Sequence, residues 1–444
     1  MKGKKLHQNL IRFLRHIDSI KDTLPMTMLL INPHQKKAHD KFAKFMDENV
    51  EEIEVEDGEK AIAVKYENAK VFEQLSKNSE ISILASKIIP ESLFVSLISQ
   101  FDSYINKLLR ILFEIRPELI NQSDRNLTFS ELVEYDSIDN ARENIIEKEV
   151  ESVLRKSHSE HFDYLENKLG MPLRKKLPIW PQFVEITERR NLFVHCDGFV
   201  TSQYLKVCKK HHANIEGVAL NERLIITPEY FNSTYETLFE IAVKLTHTIW
   251  RKLLKEDLKN ADRHLNDICF ELMNTRDFKL ADIMLHFACD QNHFYNDASH
   301  NVFVVNRALS KYLQDKKKEA KEIINQKDWS ASSDDFKLAH LVLNENYEDC
   351  YALMRKIGED GEVDKENYRT WPLFHELRKE DKFKSTYKEI FGEDYKIVEI
   401  PKRPIQDIIE EEIKNNPELR EKVKNKKMSK KQIKEKEDYE EEEK

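Results

Sequence analysis

Glycine is scarce in this sequence, with eight among 444 residues. Doubly wound sheets and phosphate-cradling loops need glycine at backbone positions closed to other residues. Neither Gly-x-Gly-x-x-Gly nor Gly-Lys-Ser/Thr occurs, which argues against dinucleotide-binding and nucleotide-hydrolysing chemistry. The opening Met1-Lys-Gly-Lys-Lys-Leu-His lacks the apolar core of a signal peptide. No run approaches about 18 consecutive apolar residues, so no membrane span is expected. The five cysteines (Cys196, Cys208, Cys269, Cys289 and Cys350) are odd in number and scattered, so no disulfide framework is expected and the chain reads as soluble and cytoplasmic.

Leu, Ile, Glu and Lys are abundant instead, which together with low glycine predicts a mainly α protein. Hydrophobic residues make up 40% and charged residues 34%, enough apolar material for a core, in a chain long enough for two or three domains. The net charge of −9 argues against a uniformly basic coat for nucleic acid. One stretch departs from this balance: from Arg174 to His212, eight Lys/Arg stand against three acids. Arg174, Lys175, Lys176, Arg189, Lys209 and Lys210 are the candidate substrate-binding cations, and a solvated face is the plain alternative.

The patterning suggests four regions. Residues 1–88 carry helical patterns around Glu51–Val64, where Asp57-Gly58 between alternating apolar residues suits a tight β-hairpin. Residues 89–255 read as a helical bundle. Leu93, Leu97, Phe101, Tyr104, Leu108, Leu112 and Ile115 form one stripe of a long helix that stops before Pro117. Thr128-Phe-Ser-Glu131 fits a capping box. Gly170 closes a helix through Phe162 and Leu165. Pro181 opens the next helix, which ends near Gly198. Val218–Ile226 is a candidate hairpin, and Thr227-Pro228 caps a further long helix. Residues 256–400 look like paired helices, a degenerate tetratricopeptide-like region: Cys269/Ala281, Ala308/Ala320 and Ala339/Cys350 are small residues 12, 12 and 11 apart, a spacing that lets antiparallel helices approach closely. Residues 401–444 are dominated by Lys and Glu and predict a charged tail.

The chemistry-bearing stretch is Trp180-Pro-Gln-Phe-Val-Glu-Ile-Thr-Glu-Arg-Arg-Asn-Leu-Phe-Val-His-Cys-Asp-Gly198. Phe183, Ile186, Arg190 and Phe193 share one helix face. Arg190 therefore interrupts an apolar stripe, and a guanidinium there needs a partner or a wet cleft. Asn191 and His195 lie four apart on an adjacent face. A phosphodiester with a neighbouring 2′-hydroxyl could be cut by such groups without metal. His195 would serve as base or leaving-group acid, Arg190 as phosphate clamp and Asn191 as orienting group. The residues leave other roles open: Arg190 paired with Asp102 or Glu185, and His195 a satisfied core histidine. His158 and His161, with Glu160 and Asp163 nearby, form a weak candidate metal pair, and Cys196, Cys208, His211 and His212 a weaker zinc set; no metal or cofactor is expected.

Arg190-Asn191-x-x-x-His195 resembles the signature of the HEPN superfamily. The resemblance extends to Phe94-Val-Ser-Leu-Ile-Ser-Gln-Phe-Asp-Ser-Tyr-Ile, similar to the family's opening helix. Leu127-Thr-Phe-Ser-Glu-Leu and Ser157-His-Ser-Glu-His-Phe then follow in an order similar to bacterial members. It covers about 89–255 and implies a HEPN-like helical bundle that pairs two-fold and acts as a metal-independent endoribonuclease in antiphage defence or toxin–antitoxin action. Asp102 would support Arg190, and a regulatory protein partner would dock on the C-terminal helical region. The alternative is a non-catalytic helical protein- or RNA-binding module.

Overall fold

The computed structural model describes residues 2–54, 60–122, 127–175, 177–361 and 363–396, together with 414 and 420. The described residues are overwhelmingly helical. They divide into two compact units, the first made of residues 2–20 with 90–396 and the second containing residues 21–89.

The second unit takes in part of α1 (Lys2–Asn49), strands β1 (Val50–Glu54) and β2 (Lys60–Val64), and the beginning of α2 (Ala69–Ile115). The strands pair antiparallel with Val50 opposite Val64. The Asp57-Gly58 turn lies outside the described residues. Phe72 packs its ring against Phe42 at 5.8 Å and Phe45 at 6.4 Å. By length and composition, Tyr66–Ile115 is the one helix among the described residues long and apolar enough to cross a membrane. A window of mixed residues can be apolar on average without an unbroken apolar run, and the core helix of a soluble protein passes the same test.

The first unit is built on the rest of α2, whose Phe94, Leu97, Phe101, Tyr104 and Leu108 are buried, as the i, i+3/i+4 stripe requires. After it come the short exposed α3 (Phe129–Val133) and then α4 (Ile138–Leu154), α5 (His158–Leu169), α6 (Trp180–His195), α7 (Ser202–Lys210) and α8 (Pro228–Leu253). Phe101 meets Phe183 of α6 edge to face at 5.2 Å. The Tyr104 hydroxyl donates to the Ala242 carbonyl of α8 at 3.1 Å and bonds Thr246 Oγ1 at 2.7 Å. Asn9 of α1 donates to the Tyr104 carbonyl at 3.1 Å. Each fully buried ring adds about 1.5–3 kcal/mol, so this seam fixes α2, α6 and α8 against each other.

Helix ends follow local chemistry. Thr128 and Glu131 form a reciprocal capping box on α3, Ser157 and Glu160 another on α5, and Thr227 caps α8. Gly170 takes the left-handed conformation at φ 61°. Val218–Ile226 is not a hairpin. It meets the chain through an isolated antiparallel bridge, Phe199 with Arg223, flanked by Val200 N–H to the Glu222 carbonyl at 2.8 Å and Leu224 N–H to the Gly198 carbonyl at 2.9 Å. Burial of Leu224 beside Leu192, Val200 and Tyr204 turns this segment toward the α6–α7 corner, so it cannot pair with itself.

The remaining helices of the first unit come in contacting pairs: α9 (Leu258–Asn274) with α10 (Phe278–Cys289), α11 (Asp297–Leu313) with α12 (Lys317–Ile324), and α13 (Asp334–Leu343) with α14 (Tyr347–Ile357). Helices α15 (Lys365–Thr370) and α16 (Asp381–Phe391) follow. All six small residues named above, from Cys269 to Cys350, are fully buried. The three pairs share one turn. Arg276, Asp315 and Glu345 each take a positive φ, at 60°, 64° and 62°. The next residue's N–H then reaches a carbonyl five positions back: Asp277 to Leu272 at 2.8 Å, Lys316 to Lys311 at 3.0 Å, Asn346 to Leu341 at 2.9 Å.

Candidate active site

Three helices of the first unit bring their polar residues to one place. Asp102 lies on α2, His158 opens α5, and Glu188, Arg190 and Asn191 lie on α6. The Asp102 carboxylate is the centre. Its Oδ1 bonds His158 Nε2 at 2.7 Å, and its Oδ2 accepts from Arg190 Nη2 at 3.0 Å. The Asp102 side chain is 35% exposed and Arg190 20%, whereas His158 is only 7% exposed. The bridge thus runs from the core outward. Of the two internal partners open to Arg190, Asp102 is the one it takes. Arg190 Nε is buried without a hydrogen-bond partner among the described residues. Such a donor costs about 1–3 kcal/mol until an acceptor reaches it.

Glu188 completes the cluster. Burial raises the pKa of its carboxyl, and His158, Arg190 and the Asn191 side chain offset this in part. Asn191 therefore lies against Glu188. His195 is the last residue of α6 and is exposed; it is not a core histidine. Its ring makes no hydrogen bond among the described residues. Five residues of helix separate it from Arg190 by about 140° around the axis and about 7.5 Å along it. The chain after it turns through left-handed Asp197 and Gly198, at φ 48° and 79°. Only glycine fits at 198, because a Cβ there would sit 2.9 Å from Phe193 Cε1.

The basic stretch is only partly available. Arg174 is bound to Asp163 at 2.5 Å and to Glu166, and stacks over Trp180 at 5.2 Å. Arg189 donates to Glu185 at 2.7 Å and lies 3.9 Å from the centre of the Tyr230 ring. Both are thus held by carboxylates of the chain itself: Arg174, 23% exposed, by Asp163 and Glu166 near the surface, and Arg189, 13% exposed, by the buried Glu185. Lys175, Lys209 and Lys210 are exposed. Lys176 lies outside the described residues.

The metal pair is not assembled. His158 faces Asp102, Glu160 caps its own helix at Ser157, and Asp163 holds Arg174. Nor do the cysteines form a zinc set: Cys208 packs with Leu192, Val200 and Tyr204, and burial first, then Glu185 and Glu188, pushes its thiol up to about 12, the opposite of a ligating thiolate.

His161 is buried behind the cluster. Burial, then His158, pushes its pKa from 6.5 down to about 4. The neutral ring is the form the fold accepts. Its contribution is complete above pH 6.5 and is lost as pH falls through about 4, amounting to about 3 kcal/mol. Urea melts between pH 7 and pH 4 should show that loss, and His161→Leu should reduce the slope; an unchanged slope in the variant would remove His161 from the account.

His158 and Glu188 were the residues sequence reasoning missed in these roles. The capping box Ser157-His-Ser-Glu160 was the available signal, since it orients the first residue of α5. No family model matches this chain, and no curated protein and no solved structure matches it.

Proposed function

We propose that the chain is a HEPN-type, metal-independent endoribonuclease. What supports this reading best is the Asp102 bridge, which holds a permanently charged guanidinium, 20% exposed, on the helix that ends in exposed His195. His195 would remove the proton of a 2′-hydroxyl, whose oxygen then bonds the adjacent phosphorus. The bond to the 5′-oxygen breaks, and a protonated imidazole or water supplies its proton. The remaining Nη1 face of Arg190 would stabilise the charge on the phosphoryl oxygens. Asp102 and His158 would act as positioning residues for Arg190, and Lys175, Lys209 and Lys210 would attract the backbone. A homodimer, in which a second copy adds another Arg190 and His195, a cytoplasmic setting and a role in antiphage defence or toxin–antitoxin action belong to the same proposal.

The test is incubation of the purified chain with total RNA in excess EDTA. Fragments ending in 2′,3′-cyclic phosphate with 5′-hydroxyl partners are the expected products, and intact RNA at high enzyme concentration defeats the proposal. The second reading, a non-catalytic protein- or RNA-binding module, is favoured by one observation: Arg174 and Arg189 are engaged by internal carboxylates. A stable complex without cleavage would support it.

A further inference from the structure

We propose that the groove between α9, α11 and α13 is a docking site for an extended peptide presenting carboxylates beside apolar side chains. The groove is an open cavity of about 520 Å³, within the range of ligand clefts. Its floor is apolar, with Val302 and Phe303 from α11 and Phe336 from α13. Its rim carries Lys259 and Arg263 of α9. These cations are four residues apart on one helix face, an arrangement that is mildly repulsive. Neither forms an ion pair among the described residues. Lys259 lies over the Tyr295 ring at 5.6 Å, and Arg263 reaches only the Asn260 side-chain oxygen, at 3.5 Å. Asp267, one turn on, feels the charge of Arg263 without forming an ion pair.

Of the two carboxylates on the groove wall, Asp262 is neutralised by a cation and Asp335 keeps its charge. Asp262 is paired with Arg251 at 2.7 Å and accepts the Tyr295 N–H at 2.7 Å. Asp335 accepts from the Ser333 hydroxyl. The amide oxygens are used internally: Asn266 accepts from Asn306 at 2.7 Å, and Asn296 caps α11 through the Ser299 N–H at 2.9 Å, so what each amide has left to offer is its NH2 group. The groove therefore presents two cations, Lys259 and Arg263, against one uncompensated carboxylate, Asp335, an excess of positive charge beside apolar side chains. Two cations are few for a nucleic-acid backbone, which is typically gripped at about 6–10 phosphates. They match one or two carboxylates of a strand-like peptide, with an adjacent side chain filling the floor, on the kind of surface that stacked helical pairs present.

The probe is a fluorescein-labelled octapeptide of alternating Leu and Glu, titrated by anisotropy against the full chain. Saturable binding that weakens with salt is expected. Binding should fall at least about tenfold for the Lys259→Glu, Arg263→Glu double variant and for a peptide with Gln in place of Glu. Both substituted side chains are exposed, and an unchanged melting temperature shows that the variant is folded. Absence of binding, equal binding by the variant or by the Gln peptide, or displacement of the octapeptide by ATP or by oligouridine overturns the proposal. The measurement involves neither Arg190 nor His195, so it stands or falls separately from the nuclease reading.

Discussion

Replacing Arg190 by Ala or by Lys should each reduce metal-free RNA cleavage by about 10²–10³-fold, and His195→Ala by about 10²–10⁴-fold, while the melting temperature changes little. Lysine fails in place of arginine because a point charge on a flexible stem cannot contact Asp102 and a phosphate together from one rigid fork. The Asp102 contact is partly solvated, with that carboxylate 35% exposed, so its loss costs little stability. Asp102→Asn separates positioning from charge. It keeps the shape and one acceptor for Arg190 but weakens the hold, so kcat should fall while KM for RNA stays near wild type. Single-turnover assays on a labelled RNA measure these effects. Full cleavage by Arg190→Ala or His195→Ala would mean that the reaction arises elsewhere.

Glu185→Leu should be the most destabilising single change near the site, by about 3–5 kcal/mol, a fall in Tm on the order of 10 °C. Glu185 is 7% exposed and accepts three bonds: from Arg189 at 2.7 Å, from the Tyr204 hydroxyl at 2.7 Å and from the Tyr230 hydroxyl at 2.6 Å. Its removal strands a buried guanidinium and two phenols, so the penalty is that of unpaired groups left out of water. The double variant with Arg189→Leu should recover part of the loss, because it removes the stranded charge as well. Thermal melts of the three proteins decide this. A Glu185→Leu protein that melts like wild type would show that Arg189 finds water, and would return it to the pool of cations free to meet RNA.

The two cases show how far local pattern reaches. The stripe from Leu97 to Ile115, the capping boxes at Thr128 and Ser157, Pro181 and Gly170 are each set by chemistry within a few residues, and the helices follow them. The buried small pairs from Cys269 to Cys350 were legible for the same reason: each spacing lies within one helical hairpin. The shared turn of those hairpins was not, because Arg276, Asp315 and Glu345 are not residues that advertise a positive φ.

At the site, the sequence identified Arg190 as a charge in an apolar stripe and so required a partner for it. It could not choose between Asp102, 88 residues away, and Glu185 on the same helix, because that choice rests on the packing of α2 against α6. Nor could it separate Arg189 from Arg190, adjacent cations that a 100° turn sends to different carboxylates. By itself the sequence determined a helical protein with an Arg and a His about 1.4 turns apart on one helix, since periodicity and helix termini are local properties. Only the tertiary structure decided that Asp102 joins Arg190 to His158, that Arg174 and Arg189 are each held by a carboxylate of the chain, and that Lys259 and Arg263 line an open groove, since the energy of a charge depends on which groups from distant parts of the chain surround it.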